Sequence, residues 1–230
     1  MRMTSLKTTH AHAWNISVAE ARDIQCALRE KVITQDRFKK NLATVAGVDV
    51  GFEDDGRITR AAVANLKFPS LQLCEYAIAR RKTSFPYVPG YLSFRETPAV
   101  LDALQNLKQL PDILLCDGQG VAHPRRFGIA CHIGVLTGIP TIGVAKTRLI
   151  GTHATVPAEK GAYVPLLDQG VEIGVVLRTR TNVKPVYVSI GHKISLASAV
   201  KLVMQCVTKY RLPETTRWAD RIASNKTGEY

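Results

Sequence analysis

The sequence predicts an α/β protein built on one mixed β-sheet, and three features point there. Residues 44–81 hold three runs rich in β-branched and small residues, separated by the turns Asp54-Asp55-Gly56 and Pro69-Ser70, the pattern of an antiparallel meander. Residues 113–117 and 141–145 are short apolar runs on either side of a small-residue segment at 127–137. Strand–helix–strand with such short links makes a parallel pair. At 230 residues the chain is long enough to bury a full core within one domain.

Taken in order, residues 1–15 are polar and read as a flexible tail, with His10 and His12 as tail residues. Ser17-Val18-Ala19-Glu20 has capping-box spacing, and Ala21, Ile24, Ala27 and Leu28 keep the helical period, which predicts a helix over 17–31. TVAGVDVG at 44–51 reads as a central strand, and Asp49 lies between Val48 and Val50 with little sign of a solvent face. Strands at 60–67 and 71–81 complete the meander. Residues 85–96 form a stiff loop, because Pro86 and Pro89 fix φ on either side of Tyr87 and Val88. Tyr87 then suits stacking on nucleobases, or packing on its own loop.

A helix starting at Thr97-Pro98 and running to 107 puts Glu96 just ahead of it, where the helix dipole favours an acidic group. Beyond the parallel unit, Lys146 ends a strand where such sheets bind ligands, although a surface lysine has the same signature. Residues 153–170 read as loop, 172–178 and 186–190 as strands, and 195–209 as a helix entered through Gly191-His192-Lys193. Pro213 opens a last helix containing Trp218 and Asp220, the latter by itself a solvated helix residue. Residues 225–230 read as tail, which leaves 16–224 as a single domain.

Composition narrows the partner. Apolar residues make up 46% and charged residues 22%, ordinary for a globular protein, but 31 Lys and Arg stand against 19 Asp and Glu. The net charge of +12 and pI near 9.7 favour a polyanion, nucleic acid before others, with solubility as the second use of such a surplus. Cys26, Cys74, Cys116, Cys131 and Cys206 are scattered and form no CxxC pair, so neither a zinc cage nor a disulfide framework is indicated. They read as small core residues in a reducing compartment. No apolar run approaches 18 residues and the first residues lack a signal-peptide core, so a cytoplasmic location without membrane association is expected. The absence of Walker A, GxGxxG and GxSxG patterns argues against nucleotide-binding loops and acyl transfer.

The stretch LLCDGQGVAHPRR (114–126) organises the rest. An ionised Asp117 at the end of an apolar strand is costly to desolvate unless positive charge sits beside it. The glycines allow close backbone approach, and Arg125 and Arg126 suit phosphate. Two readings stay open: a metal-holding carboxylate at the mouth of a phosphate-binding cleft, or a turn in which Asp117 bonds backbone amides.

VAGVDVGF (45–52), PYVPGYLSFRE (86–96), DGQGVAHPRRFG (117–128), PTIGVAKTRL (140–149) and YRLPETTRWAD (210–220) resemble, in order, the motifs of endonuclease V, a likeness covering most of the chain. The resemblance implies an RNase H-like fold, a mixed sheet with its first three strands antiparallel, flanked by helices. It implies a DNA repair hydrolase, a divalent-metal-dependent endonuclease acting on deaminated adenine, as deoxyinosine in single- or double-stranded DNA or as inosine in RNA. The cut would fall at the second phosphodiester bond 3′ to the lesion, leaving 3′-hydroxyl and 5′-phosphate ends, and a monomer is expected.

By motif, Asp49, Glu96, Asp117 and Asp220 resemble the catalytic carboxylates that hold metal, and His123 and Lys146 would lie near the scissile phosphate. Pro86, Tyr87, Val88 and Pro89 resemble the wedge that replaces an extruded base, while Gly90, Leu92, Gly118 and Ile129 would line the hypoxanthine pocket. Arg95, Arg125 and Arg126 are expected on phosphates. The sequence departs from the pattern at Gln119, where a His is common between the two glycines. Four hard oxygen donors suit Mg²⁺, with Mn²⁺ able to substitute. Two ions about 3.5–4 Å apart would activate water and hold the leaving oxygen. The alternatives are an inosine-specific ribonuclease and a non-catalytic nucleic-acid binding protein on the same fold.

Overall fold

The computed structural model describes residues 6–224. In chain order these form α1 (Val18–Leu28), β1 (Thr44–Glu53), β2 (Ile58–Lys67), β3 (Leu73–Lys82), α2 (Leu92–Gln105), β4 (Ile113–Cys116), α3 (Ile129–Thr137), β5 (Thr141–Ala145), β6 (Tyr163–Asp168), β7 (Val171–Leu177), β8 (Val186–His192), α4 (Leu196–Gln205) and α5 (Glu214–Ala223). The eight strands make one sheet in the order β3-β2-β1-β4-β5-β8-β7-β6. β1, β4 and β5 run parallel at its centre, and the remaining pairs are antiparallel.

The meander follows from its turns. Asp54, Asp55 and Gly56 all adopt positive φ, a conformation that Asp tolerates and Gly prefers, and so reverse β1 into β2. Ser17 caps α1 with the full capping box: its hydroxyl accepts from the Glu20 amide while the Glu20 carboxylate accepts from the Ser17 amide at 2.8 Å.

Alternation along the central strands divides the core into two layers. Ala46, Val48, Leu114 and Cys116 pack under α2 and α3, whereas Val45, Ile113, Leu115, Ile142 and Val144 pack under α4. α5 lies on the same side as α4, over Ala62 and Ala64 of β2. It sits close because Gly47 has no side chain; a Cβ there would lie only 2.0 Å from the Thr215 carbonyl oxygen. That approach brings the last helix onto the strand that carries Asp49.

Four expectations are corrected. α2 starts at Leu92, not at Thr97, so Glu96 lies inside the helix and Pro98 is an interior residue. The interior proline costs about 3 kcal/mol, which burial of Phe94, Ala99, Val100, Ala103 and Leu104 outweighs. The stretch read as loop at 153–170 contains β6, an edge strand able to accept Pro165 and joined to β7 by the positive-φ pair Gln169-Gly170. The helix expected over 195–209 stops at Gln205.

The N-terminal segment read as flexible tail is packed from Thr9 onward. The Thr9 amide donates to the Leu136 carbonyl at 2.7 Å, and Trp14 packs with Ala21, Phe85 and Phe94. Residues 1–5 and 225–230 lie outside the described part of the chain.

Candidate active site

The parallel register carries the acidic pair. Val48 of β1 is paired with Cys116 of β4, so Asp49 and Asp117 each stand one step beyond the last parallel pair. Adjacent strands put their Cα atoms on the order of 5 Å apart. Asp49 has the odd parity of Val45 and Gly47, as Asp117 has that of Ile113 and Leu115, which directs both toward the α4/α5 side. Asp220 of α5 and Glu96 of α2 come close enough for their charges to act on this pair.

The electrostatics are those of a crowded acidic cluster. Burial, and then the charge of Asp117, push the Asp49 carboxyl up to about 7. Burial, and then the charges of Asp49 and Asp117, push Glu96 up to about 8. Lys146, just past β5, sets its ammonium 2.5 Å from the Asp117 carboxylate. Burial opposes that charge, but Asp117, Asp49 and Asp220 outweigh it and hold the Lys146 pKa above its ordinary value. Among the described residues no three His, Cys, Asp or Glu side chains converge in a ready metal-holding group. The donor set nevertheless fits a hard divalent cation: it offers carboxylate oxygens from β1, α2, β4 and α5, and burial together with the neighbouring acids raises the pKa of two of them, a strain that a bound cation would relieve.

Beside the acids opens a cavity of about 350 Å³. All four expected pocket residues, Gly90, Leu92, Gly118 and Ile129, line it, as do Tyr87, Val88 and Pro89 of the loop and Asp117, His123 and Lys146. Tyr87 is 73% exposed at the rim, so the alternative in which it packs on its own loop does not hold. Pro86, Asp49, Glu96 and Asp220 are not part of the lining. Gln119 does line it, and its Nε2 donates to the Thr147 carbonyl at 3.1 Å, tying the loop after β4 to the one after β5.

The three arginines expected on phosphates each make internal contacts. Arg95 donates to the carbonyls of Phe85 and Gly56 at 3.1 and 3.3 Å and lies over the Phe52 ring. Arg126 pairs with Asp168 at 2.7 Å. Arg125 donates to the Gly90 carbonyl at 2.6 Å and stacks over Tyr91. His123, buried, accepts from the Arg125 amide through Nδ1, so its Nε2–H donates to the Gly90 carbonyl at 3.0 Å. Burial and the neighbouring Arg125 pull its pKa down to about 4, and it is a neutral strut at physiological pH.

Sequence reasoning missed a second set of contributors, all long-range. His132, fully buried on α3, bonds the Ser93 hydroxyl through Nδ1 at 3.0 Å and His12 through Nε2 at 2.8 Å. Because Ser93 lines the cavity, the chain of groups links the pocket wall to the N-terminal segment. Arg211 holds the Lys146 carbonyl at 2.7 Å from the segment before α5. Gln25 of α1 reaches the Gly90 carbonyl. No local pattern marks these residues; His12 alone, two residues ahead of a Trp, carried a hint of burial.

A sequence model of the endonuclease V family matches residues 26–221. The endonuclease V of Rippkaea orientalis is 63% identical over 210 residues, 91% of each chain. The crystal structure of endonuclease V from Streptomyces avermitilis superposes with a TM-score of 0.88 at 43% identity, covering 97% of both chains. That of Ciona intestinalis endonuclease V, in complex with a 24-mer DNA containing an inosine followed by a ribo-adenosine, superposes with a TM-score of 0.79 at 29% identity over 91% of this chain and 97% of that one. The fold shared with these structures is RNase H-like. With the family's motifs, its sheet and its cavity beside paired strand-end aspartates all present in one chain, the protein belongs to the endonuclease V family of nucleases.

Proposed function

We propose that the protein is a DNA repair endonuclease that recognises deaminated adenine and hydrolyses the second phosphodiester bond 3′ to it, leaving 3′-hydroxyl and 5′-phosphate ends. One observation carries this reading: two strand-end aspartates stand in register within reach of two further acids, and one of the pair, Asp117, lines a purine-sized cavity with an exposed tyrosine at its rim. A base enters such a cavity only when it leaves the stack, which costs least at a mismatched or single-stranded inosine. Tyr87 then stacks in its place, worth about 1–3 kcal/mol. Backbone amides around Gly118 and Ile129 suit the carbonyl that distinguishes hypoxanthine from adenine, and an adenine amine in their place would leave them unpaired.

The family's nucleases are metal-dependent, and Asp49, Glu96, Asp117 and Asp220 are the groups that would hold Mg²⁺ here, with Mn²⁺ as a substitute. Such an ion activates a water and stabilises the leaving oxygen. Lys146 remains charged beside Asp117 and would meet the phosphate next to the cut. His123, neutral and bonded to Gly90, orders the pocket wall and leaves proton transfer to other groups. The protein is proposed to work as a cytoplasmic monomer, in keeping with five free cysteines and no helix among the described residues long and apolar enough to cross a membrane.

The test uses end-labelled DNA and RNA oligomers, each with one inosine, incubated with and without Mg²⁺. Cleavage of the DNA one nucleotide beyond the inosine, dependent on Mg²⁺ and absent from an adenine control, is expected. Binding without nicking would replace the reading with that of a binding protein, and cleavage of the RNA alone with that of a ribonuclease.

A further inference from the structure

We infer that Gln25 is a positioning residue that fixes the spacing between the two walls of the base cavity. It lies just outside the stretch matched by the family model, which begins at residue 26. The inference rests on the proposed function in one respect, that the cavity receives the base.

Gln25 sits on α1, 1% exposed, with every polar atom of its side chain engaged. Its Nε2 donates to the Gly90 carbonyl at 3.1 Å and to the Phe127 carbonyl at 3.2 Å. Its Oε1 accepts from Arg125 Nε at 2.5 Å. Gly90 belongs to the loop that presents Tyr87 and forms one wall, while Phe127 leads directly into Gly128 and Ile129 of the other. One carboxamide therefore bridges both walls and also orients the guanidinium that donates to Gly90.

A carboxamide is the group this site requires. The Phe127 carbonyl takes its side-chain N–H from Gln25, the Gly90 carbonyl takes a third donor beside those of Arg125 and His123, and the Arg125 guanidinium needs an acceptor. A carboxylate would face the two carbonyls with no hydrogen to give, and an ammonium would leave Arg125 facing a like charge. Gly90 shows how tight the arrangement is: it adopts φ +81°, and a Cβ there would lie 2.9 Å from Arg125 Nη2. The helix beneath is anchored toward both walls by apolar contacts, Ala21 and Ile24 with Phe85 and Phe94, and Ile24 and Leu28 with Phe127 and Cys131. α1 thus acts as a brace whose one buried polar side chain holds the cavity at a set width.

The test measures steady-state cleavage of a labelled DNA strand with one inosine by the full chain and by Gln25→Met and Gln25→Glu. Gln25→Met keeps length and volume but removes every bond; its KM is expected to rise about tenfold or more, with kcat within about threefold of the parent. Gln25→Glu should also raise KM by about tenfold with kcat within about threefold, because its carboxylate keeps the Arg125 contact but has no hydrogen for the two carbonyls. A purely structural defect would lower kcat through the folded fraction and leave KM unchanged. If Gln25→Met does not fold, Gln25→Glu decides alone. KM values within twofold of the parent, or a fall in kcat with KM unchanged, would overturn the inference. If the parent itself leaves the inosine strand intact, the proposed function has failed instead.

Discussion

The acidic cluster and the base cavity share Asp117 and Lys146, yet they are held by opposite means. Asp49 and Asp117 project from paired parallel strands in the centre of the sheet, so backbone hydrogen bonds force like charges together whatever their mutual repulsion. The cavity wall at Gly90 is loop, and its position depends on donors from three distant side chains: Gln25, His123 and Arg125. The acids are therefore rigid and electrostatically unfavourable, while the pocket wall is held by paired groups and depends on long-range bracing. A cluster of acids tolerates repulsion when a cation completes it; a wall built from loop needs fully paired struts.

Substitutions should separate the two regions. Asp49→Asn should lower the cleavage rate by about 10³-fold or more while inosine-strand affinity, read by fluorescence anisotropy, stays within a few-fold. Loss of affinity in step with rate would mean that the regions are not separable. Lys146→Met removes the only cation seen on Asp117 among the described residues. It should slow cleavage by about 10²-fold yet tighten divalent-ion binding in calorimetry, since a competing positive charge has gone. Tyr87→Ala should weaken binding of an inosine duplex by about tenfold without changing ion affinity; unchanged duplex affinity would remove the wedge role.

Stability tests the electrostatic contrast directly. Asp49 and Glu96 have folded-state pKa values near 7 and 8, above the ordinary carboxylate range. Groups raised in this way stabilise the fold fully below the unfolded pKa, about 4, and lose that contribution as pH climbs through the folded values. In a chelator the melting temperature should therefore fall by several degrees between pH 6 and 9, and saturating Mg²⁺ should flatten the decline. A chelated protein whose melting point does not change over that range would show that the acids are not crowded. The smallest effect belongs to the brace: Ser17→Ala removes the α1 cap and should lower the melting temperature by about 2–4 °C.

Legibility followed the range of the interactions. The β1–β2 hairpin was readable because Asp54-Asp55-Gly56 encodes its turn within three residues, and the α1 start because Ser17 and Glu20 satisfy each other locally. The start of α2 was misread because Pro98 carries a strong local signal that burial of a whole helix face outweighs. β6 was missed because an edge strand interrupted by Pro165 lacks alternation, although Gln169-Gly170 offered a turn signal. At the site, the acids and the pocket glycines were legible through motifs. The internal partners of Arg95, Arg125 and Arg126 were not legible, because charge suggests phosphate while only packing shows that Phe85, Gly90 and Asp168 also engage them.

By itself the sequence marked the acids and glycines of the motifs and most of the strands and helices, because turn chemistry, capping and apolar period act over a few residues. Only the tertiary structure decided which groups meet. That Asp49 lies beside Asp117 depends on strand register, that Asp220 reaches them depends on a glycine letting α5 approach β1, and that Gln25 braces the pocket depends on α1 crossing between two walls. Such contacts join residues a hundred positions apart or more, as Gln25 and Arg125 are, and no local pattern encodes them.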